Sequence, residues 1–264
     1  MSSRRVSIQR IAGGQREIDQ DFLAAEEPLE IRVRGRAVSV TMRTPGNDDE
    51  LAAGFLLSEG IVRSAADILS IEPCGRNEFG NLVNVQLSPM VGVDFEKLTR
   101  HVFASSSCGL CGKATIESLR GVFPPIESDA RVGVDVLSSL PDKLRAAQPI
   151  FDETGAVHAA GLFDLSGQLL AAREDVGRHN AVDKLMGFAL LRDLLPLRQH
   201  ILLVSGRASF EIMQKARAGG VAIVAAVSGP SSLAVESAVA NRQTLVGFVR
   251  GGRMNVYAGM ERIA

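Results

Sequence analysis

The sequence predicts an α/β protein with a large carboxy-terminal three-layer α/β domain and a smaller amino-terminal α+β domain. Two observations predict this fold class. In the second half, near-continuous apolar runs such as VAIVAAV (221–227) alternate with helical patterns, which indicates parallel strands joined by right-handed crossovers. In the first half, apolar and polar residues alternate with the period of half-buried strands. The turn-rich segment FPPIESD opens the transition, and we place the domains at residues 1–135 and 136–264.

The amino-terminal domain contains one clear hairpin and one clear helix. PLEIRVRGRAVSVTMRT alternates on both sides of a turn at Arg34–Arg36, as hairpins do. NDDELAAGFLLSEG predicts a helix that Asn47 caps, acidic residues open and Gly60 ends. NLVNVQLS predicts a strand, and CGKATIESLRG predicts a helix that begins at or just after its cysteine.

The carboxy-terminal domain reads as an ordered series of elements. SSLPDKLRAAQ predicts a helix with Pro141 in its opening turn, and GAVHAAGLFDLSGQLLAARED predicts two strands joined by the turn LSG. Helices and strands then alternate, in the order GRHNAVDKLMGFALLRD, HILLVSG, ASFEIMQKARAGG, VAIVAAVSG, PSSLAVESAVANR and TLVGFVR.

Composition excludes several classes of protein. The 264 residues carry a net charge of −1, whereas a sequence-independent nucleic-acid binder needs a basic excess. The longest apolar runs are too short to cross a bilayer, and the first ten residues show no secretory signal. We therefore expect a cytoplasmic protein that binds neither nucleic acid nor membrane.

Two predicted strands end alike, in VSGRAS (204–209) and VSGPSS (227–232). Ligands of such sheets bind beyond the carboxyl ends of the strands, and glycine followed by a helix N-terminus suits an anion such as phosphate. A tight turn with a serine N-cap explains both segments equally well.

The segment SSSCGLCGKAT (105–115) holds Cys108 and Cys111, two of the three cysteines of the chain. With Cys74 and a histidine they could complete a zinc site, although a second CxxC is missing from the sequence. A thioredoxin-like dithiol is a second reading, and two inert buried thiols are a third. The fourth is a mobile nucleophile, because a helix N-terminus and Lys113 both favour the thiolate. The spacing alone does not choose between persulfide and disulfide chemistry.

The run SSSCGLCGKATIESL resembles the signature loop of the FdhD family, accessory sulfurtransferases needed for formate dehydrogenase activity. Further segments are similar to the same family in the same order: TPGNDDELAAGFLLSEGIV, HAAGLFD, REDVGRHNAVDKLMG, SGRASFEIMQKA, SGPSSLAVESA and TLVGFVRGGRMNVY. The resemblance covers residues 44 to 257. One departure is ANRQTLVGF, where the pattern has glycine nearer the strand, and we expect Asn241 to adopt the same left-handed turn.

The resemblance implies a homodimeric cytoplasmic protein that takes sulfur from a cysteine desulfurase and delivers it to the molybdenum bis(molybdopterin guanine dinucleotide) cofactor of formate dehydrogenase. It implies that Cys108 carries the persulfide and that Cys111 helps. It also implies a cytidine-deaminase-like fold without zinc, which holds the cofactor in the carboxy-terminal half. The candidate cofactor-binding residues are Phe248, Val249, Arg250, Gly251, Gly252 and Arg253, then Ser205, Gly206, Arg207 and His179.

Two of these stretches have structural interpretations as well. FVRGGR can bind phosphate through its arginines and glycine N–H groups, or it can be a plain hairpin turn. In EDVGRHN, either Asp175 caps a helix whose first turn exposes Arg178 and His179, or His179 and Lys184 face the cofactor.

Two other functions compete with the sulfurtransferase. A chaperone that only holds and hands over the cofactor would keep its function without the cysteines. A structural zinc module would contain stoichiometric metal and unfold with chelators.

Overall fold

The structure is a computed structural model that describes residues 2–73, 80–95 and 123–264. Its strands are β1 (Ser3–Ala12), β2 (Gln15–Ala24), β3 (Glu27–Val33), β4 (Arg36–Arg43), β5 (Ile68–Pro73), β6 (Leu82–Leu87), β7 (His158–Asp164), β8 (Leu169–Asp175), β9 (His200–Val204), β10 (Ile223–Ala226), β11 (Thr244–Arg250) and β12 (Arg253–Ala258). Its helices are α1 (Asp48–Ser58), α2 (Val134–Arg145), α3 (Pro149–Thr154), α4 (Arg178–Leu191), α5 (Phe210–Ala218) and α6 (Ser232–Ala240), with single 3₁₀ turns at Ala65–Asp67 and Met260–Arg262.

The carboxy-terminal half is built on a six-stranded sheet in the order β12-β11-β10-β9-β7-β8. Strands β9, β10 and β11 run parallel, while β7 runs antiparallel to both β9 and β8. The apolar residues of β9 and β10 are buried, as expected for strands covered on both faces. The predicted alternation of strands and helices is confirmed.

Helices cover both faces of this sheet. Leu202 and Val204 of β9 lie in one apolar cluster with α4, α5 and α6. Ile201 and Leu203, which point the opposite way along the strand, lie in a second cluster with Leu137, Leu140 and Leu144 of α2. The α/β prediction is therefore confirmed, and the cytidine-deaminase likeness stays a prediction.

The amino-terminal half forms a four-stranded sheet in the order β4-β3-β6-β5. The predicted hairpin is confirmed as the antiparallel β3–β4 pair. Its buried side chains share one cluster with α1 and α4, so both halves of the chain contribute to a continuous core. The domain division at 135/136 falls within α2 and stays a prediction.

Helices α1 and α4 cross at two glycines, a contact that we call the helix seam. A Cβ on Gly54 would lie 1.8 Å from the Asp183 carbonyl oxygen, and one on Gly187 would lie 1.8 Å from the Glu50 carbonyl oxygen. Only glycine lets two helix backbones approach this closely. Ser58 adds a 2.8 Å hydrogen bond from its hydroxyl to Asp183 Oδ1 across the helix seam.

Three details differ from the sequence predictions. Pro141 lies in the interior of α2, which begins at Val134, one full turn earlier than the prediction. Asn47 precedes α1 in a left-handed conformation (φ 56°), and its side chain makes no capping bond. The left-handed residue before β11 is Arg242 (φ 55°), since Asn241 has φ −106°. The predicted helix in 111–121 lies outside the described residues.

Strands β1 and β2 form a separate two-stranded hairpin of ten paired positions. Ile11 and Ile18 near its tip are 61% and 75% exposed. None of the described helices has the length and apolar character that a bilayer crossing requires.

Candidate functional site

Five segments meet at one edge of the six-stranded sheet, which we call the carboxyl edge. Parallel β9, β10 and β11 all end there, whereas antiparallel β7 begins there and β8 ends there. The segments are 156–158, 175–179, 205–209, 227–231 and 248–253. The Ser231 N–H donates to the Ala208 carbonyl over 3.0 Å, which joins the loops after β9 and β10. The fold thus places the predicted residues at the position where open α/β sheets bind ligands.

The loop after β9 brings Ser205, Gly206 and Arg207 to this edge. The Ser205 Oγ accepts the Ala159 N–H at 2.9 Å, so its hydroxyl proton is still available to an acceptor. Gly206 is buried, and a Cβ there would lie 3.3 Å from His158 Nδ1. Arg207 is exposed and makes no ion pair with any described residue.

His158 and Arg178 are functional candidates that the sequence analysis did not select. His158 is the first residue of β7, and it reaches the site only because β7 runs antiparallel to β9. That neighbour order is not encoded in the local pattern HAAGLFD. Burial lowers the pKa of His158, and the positive charges of Arg178, His179 and Arg207 lower it further. Its imidazole is therefore neutral near pH 7 and available as a hydrogen-bond donor or acceptor.

Arg178 begins α4, and none of its guanidinium nitrogens bonds to a described residue. Its Nε is buried and unsatisfied within the described part of the chain. A buried donor without a partner is costly, so an anionic ligand is the natural complement of this side chain. The sequence analysis treated Arg178 only as an exposed first-turn residue, and the structure corrects this, because Arg178 is half-buried.

Asp175 and Lys184 hold the segment EDVGRHN in place. Lys184 is 1% exposed, and its Nζ lies 2.7 Å from Asp175 Oδ2 and 2.8 Å from the Thr44 carbonyl oxygen. Asp175 also accepts N–H groups from Thr44 at 3.1 Å and Gly177 at 2.8 Å. Lys184 therefore does not face the carboxyl edge, and Asp175 is a fully buried residue whose carboxylate accepts the N–H of Gly177 just before α4.

His179 does lie at the carboxyl edge, in a hydrogen-bonded triangle with two residues of the next helix. Its Nε2 is 3.0 Å from Glu211 Oε2 and 3.3 Å from Ser209 Oγ, and Ser209 Oγ donates to Glu211 over 3.0 Å. The bond from His179 lowers the pKa of Glu211, and the bond from Ser209 adds to this effect. The ionised carboxylate fixes the orientation of the imidazole ring.

The predicted stretch Phe248–Arg253 is a hairpin turn between β11 and β12, so the turn interpretation is correct in form. Gly251 and Gly252 have φ of 56° and 72°, with open space beside them. The Phe248 ring covers Gly229 of the neighbouring loop, where a Cβ would lie 2.7 Å from it. Val249 is fully buried, so only its backbone can reach a ligand.

The arginines of this turn point into solvent. Arg250 and Arg253 are paired across the hairpin, both are exposed, and the Arg250 guanidinium lies 5.9 Å from the Phe248 ring centroid. Neither forms an ion pair with a described residue. The turn can therefore present two cations and free N–H groups to a phosphate, as an exposed counterpart to Arg178.

Cys108 and Cys111 lie outside the described residues, as do Cys74, His101 and Lys113. Within the described part of the chain, no three His, Cys, Asp or Glu side chains are close enough to hold a metal ion. The cysteine chemistry therefore rests on the sequence.

The model of the FdhD/NarQ family matches residues 24–264 of this chain. Proteins named sulfur carrier protein FdhD are similar over nearly the whole chain: that of Streptomyces coelicolor is 50% identical over 98% of this chain and 95% of its own, and that of Mycobacterium tuberculosis is 51% identical over 92% of each. The relative from Sulfolobus acidocaldarius, of the same name, is 43% identical over 100% of this chain and 99% of its own.

The comparison with a crystal structure agrees with the sequence comparisons. The putative formate dehydrogenase accessory protein from Desulfotalea psychrophila superimposes with a TM-score of 0.81 at 27% identity, over 100% of both chains. Sequence and structure agree over the full length, and the chain belongs to the FdhD/NarQ family.

Proposed function

We propose that this protein is a sulfurtransferase that carries sulfur as a persulfide on Cys108, from a cysteine desulfurase to the molybdenum bis(molybdopterin guanine dinucleotide) cofactor of formate dehydrogenase. One observation carries the proposal: relatives about 50% identical over more than nine tenths of the chain share the name sulfur carrier protein. The name of the Desulfotalea psychrophila protein supports the link to formate dehydrogenase.

Sulfur enters the protein by thiol exchange. The Cys108 thiolate attacks the outer sulfur of the donor persulfide, a new S–S bond forms on Cys108, and the donor cysteine leaves as a thiolate. No net oxidation occurs, because the transferred sulfur only changes partner. Cys111 protects or resolves the persulfide and forms a disulfide only when the cycle fails.

The molybdenum cofactor is the substrate that receives the sulfur. Its pyrophosphate groups need cations and free N–H donors, and the carboxyl edge supplies both. Arg250 and Arg253 flank the Gly251–Gly252 turn at one end, and Arg207 follows Ser205 and Gly206 in the centre. Each of these three arginines lacks an ion pair with the described residues. His179 lies at the same edge, with its Nε2 3.0 Å from Glu211 Oε2.

The partners follow from the same role. The protein works in the cytoplasm, where both the donor desulfurase and the maturing formate dehydrogenase would be met. It acts as a homodimer, as the family resemblance implies.

The experiment is intact-mass spectrometry after incubation with a cysteine desulfurase and cysteine. The wild type gains one or more sulfur atoms, Cys108→Ala gains none, and the matched control Cys74→Ala gains as much as the wild type. Absence of sulfur on the wild type, with an active donor, contradicts the transferase and favours a chaperone that only holds the cofactor. Zinc content of the same sample tests the structural zinc module.

A further inference from the structure

Helix α4, which carries Arg178 and His179 in its first turn, lacks the usual means of fixing a helix start. Its N-cap residue is Gly177, which has no side chain to accept an N–H group, and its first turn contains no acidic residue. Such a start has no anchor of its own. Its anchors lie 131 to 140 positions earlier in the sequence, in residues 41–44 at the end of β4.

Thr44 makes the largest share of these contacts. It is fully buried, and its Oγ1 accepts the Val176 N–H at 3.1 Å, while its own N–H donates to Asp175 Oδ2 over 3.1 Å. Its carbonyl oxygen accepts a hydrogen bond of 2.8 Å from the Lys184 ammonium. The hydroxyl, the N–H and the carbonyl of Thr44 are therefore all bonded to α4 or to the segment that leads into it.

Asn180 adds contacts from the first turn of the helix. Its Nδ2 donates to the Met42 carbonyl oxygen over 2.7 Å and to Asp175 Oδ1 over 3.0 Å. Its Oδ1 accepts the Thr41 hydroxyl at 3.3 Å. The carboxamide also explains the glycine before it, since a Cβ on Gly177 would lie 2.9 Å from Asn180 Nδ2. The first turn of α4 is thus bonded laterally to the end of β4.

The segment 41–44 is itself fixed in the amino-terminal half. The Arg43 side chain is 2% exposed and forms a bidentate pair with Asp48, with Nε 2.9 Å from Oδ1 and Nη2 2.8 Å from Oδ2. Residues 41 and 42 pair with β3 in the four-stranded sheet. A buried and fully bonded network of this kind is rigid, so the segment can hold α4 at a fixed position.

We propose that Thr44 and Asn180 are positioning residues for Arg178, which they hold in place to bind a phosphate-bearing ligand. Neither of them lines the cavity beside Arg178, so they act through the arginine. This inference rests on the proposed function, because the ligand is the nucleotide part of the proposed cofactor. It gives the amino-terminal half a part in binding at the carboxyl edge, where a displacement of about 1 Å is costly.

The test is equilibrium binding of GDP, which represents that nucleotide part, to the full-length protein and its variants. Thr44→Val removes only the hydroxyl that accepts the Val176 N–H, and it lowers the affinity about three- to tenfold. Thr44→Ser keeps the hydroxyl and binds within about twofold of the wild type. Ser58→Ala is the matched control, because it breaks the 2.8 Å bond to Asp183 that also links the two halves. It lowers stability in denaturant unfolding and leaves the affinity for GDP unchanged.

A double-variant cycle identifies the residue through which Thr44 acts. Arg178→Gln alone lowers the affinity for GDP about tenfold, and Thr44→Val added to it causes no further loss, because both changes remove the same contact. A general structural effect of Thr44→Val would persist in the Arg178→Gln background. If Thr44→Val does not fold, Thr41→Val, which removes only the 3.3 Å bond to Asn180, takes its place with a smaller effect in the same direction.

Three results would contradict the inference, and they are distinguishable from one another. GDP binding that Thr44→Val leaves unchanged overturns the positioning role. An equal loss of affinity in Thr44→Val and Ser58→Ala overturns it as well, because reduced stability alone would then explain the loss. No binding of GDP to the wild type contradicts the cofactor assignment together with this inference, whereas the sulfur loading of Cys108 is decided separately by mass.

Discussion

The helix seam and the carboxyl edge both contain charged residues, but they differ in whether those charges form ion pairs. Among the described residues around the helix seam, the buried carboxylates are paired: the Lys215 Nζ lies 2.7 Å from Asp183 Oδ2, and Arg173 forms a bidentate pair with Glu50. At the carboxyl edge, Arg178 and the arginines of the loops have no ion pair with any described residue. Paired charges link the two halves of the chain, whereas the unpaired ones are available to a ligand.

Helix α4 shows this difference within two turns. Arg178 and Lys184 are both basic and six positions apart, and the sequence analysis could not rank them. Lys184 is buried against Asp175 and the Thr44 carbonyl, so it links α4 to the loop before α1. Arg178 faces a cavity. The partner, rather than the residue type, separates the two roles.

The largest effect is expected from adding a side chain where the two helices of the helix seam cross. Gly54→Ala places a methyl group 1.8 Å from the Asp183 carbonyl oxygen, and two helix backbones cannot move apart without loss of core packing. We expect the free energy of unfolding to fall by at least about 3 kcal/mol, even though alanine favours helices. Denaturant unfolding measures this. Gly133→Ala, where a Cβ meets nothing within 4 Å, is the control and changes stability little.

The second effect concerns the buried ion pair of α4. Lys184→Met leaves Asp175 buried without its cation, which costs about 3–5 kcal/mol. Arg178→Gln, on the same helix, changes the free energy of unfolding by less than about 0.5 kcal/mol, because it breaks no ion pair. Parallel denaturant unfolding curves compare the two variants. Equal losses in both would show that pairing does not distinguish the helix seam from the carboxyl edge.

A smaller effect, on ligand binding, is expected at Gly206, where the carboxyl edge is closely packed. Gly206→Ala puts a methyl group 3.3 Å from His158 Nδ1, which forces the imidazole to shift by a few tenths of an ångström. We expect the affinity for GDP, which represents the nucleotide part of the proposed cofactor, to fall about three- to tenfold, with little change in stability. Calorimetric titration beside a thermal melt separates binding from folding. Unchanged affinity would show that the His158 imidazole does not contact the nucleotide.

The smallest effect is a dependence of stability on pH. Burial lowers the pKa of His158 and of His200, and the charges of Arg178, His179 and Arg207 add to the effect at His158. Because the folded pKa lies below the unfolded value of about 6.5, full stability is present above that pH and is lost as the pH falls from there towards the folded pKa.

Denaturant unfolding at several pH values between about 7.5 and 5 follows this loss. In a variant carrying both His158→Gln and His200→Gln, the decline over this range is smaller. Identical slopes in the wild type and the variant would contradict the assignment.

The periodicity of apolar residues predicted the fold well, because the spacing that marks a strand or a helix lies within a short stretch of sequence. The parallel strands β9 to β11 and the β3–β4 hairpin both follow from their patterns. The predicted Ser205, Gly206 and His179 do meet at the carboxyl edge, because strand ends can be read from turns. His158 could not be found this way, since its place depends on β7 lying antiparallel beside β9. Arg178 was missed for a similar reason, because the absence of a partner for its buried Nε among the described residues is visible only in the structure.

The most direct test of the central claim is hydrogen exchange of the full-length protein with and without GDP. The account predicts slower exchange upon binding at residues 156–160, 177–181 and 205–208, and no change in α1 or in the half of α4 that faces it. Protection confined to the exposed turn at 250–253, with none around Arg178 and Ser205, would contradict the claim that the unpaired groups of the carboxyl edge hold the nucleotide part of the cofactor.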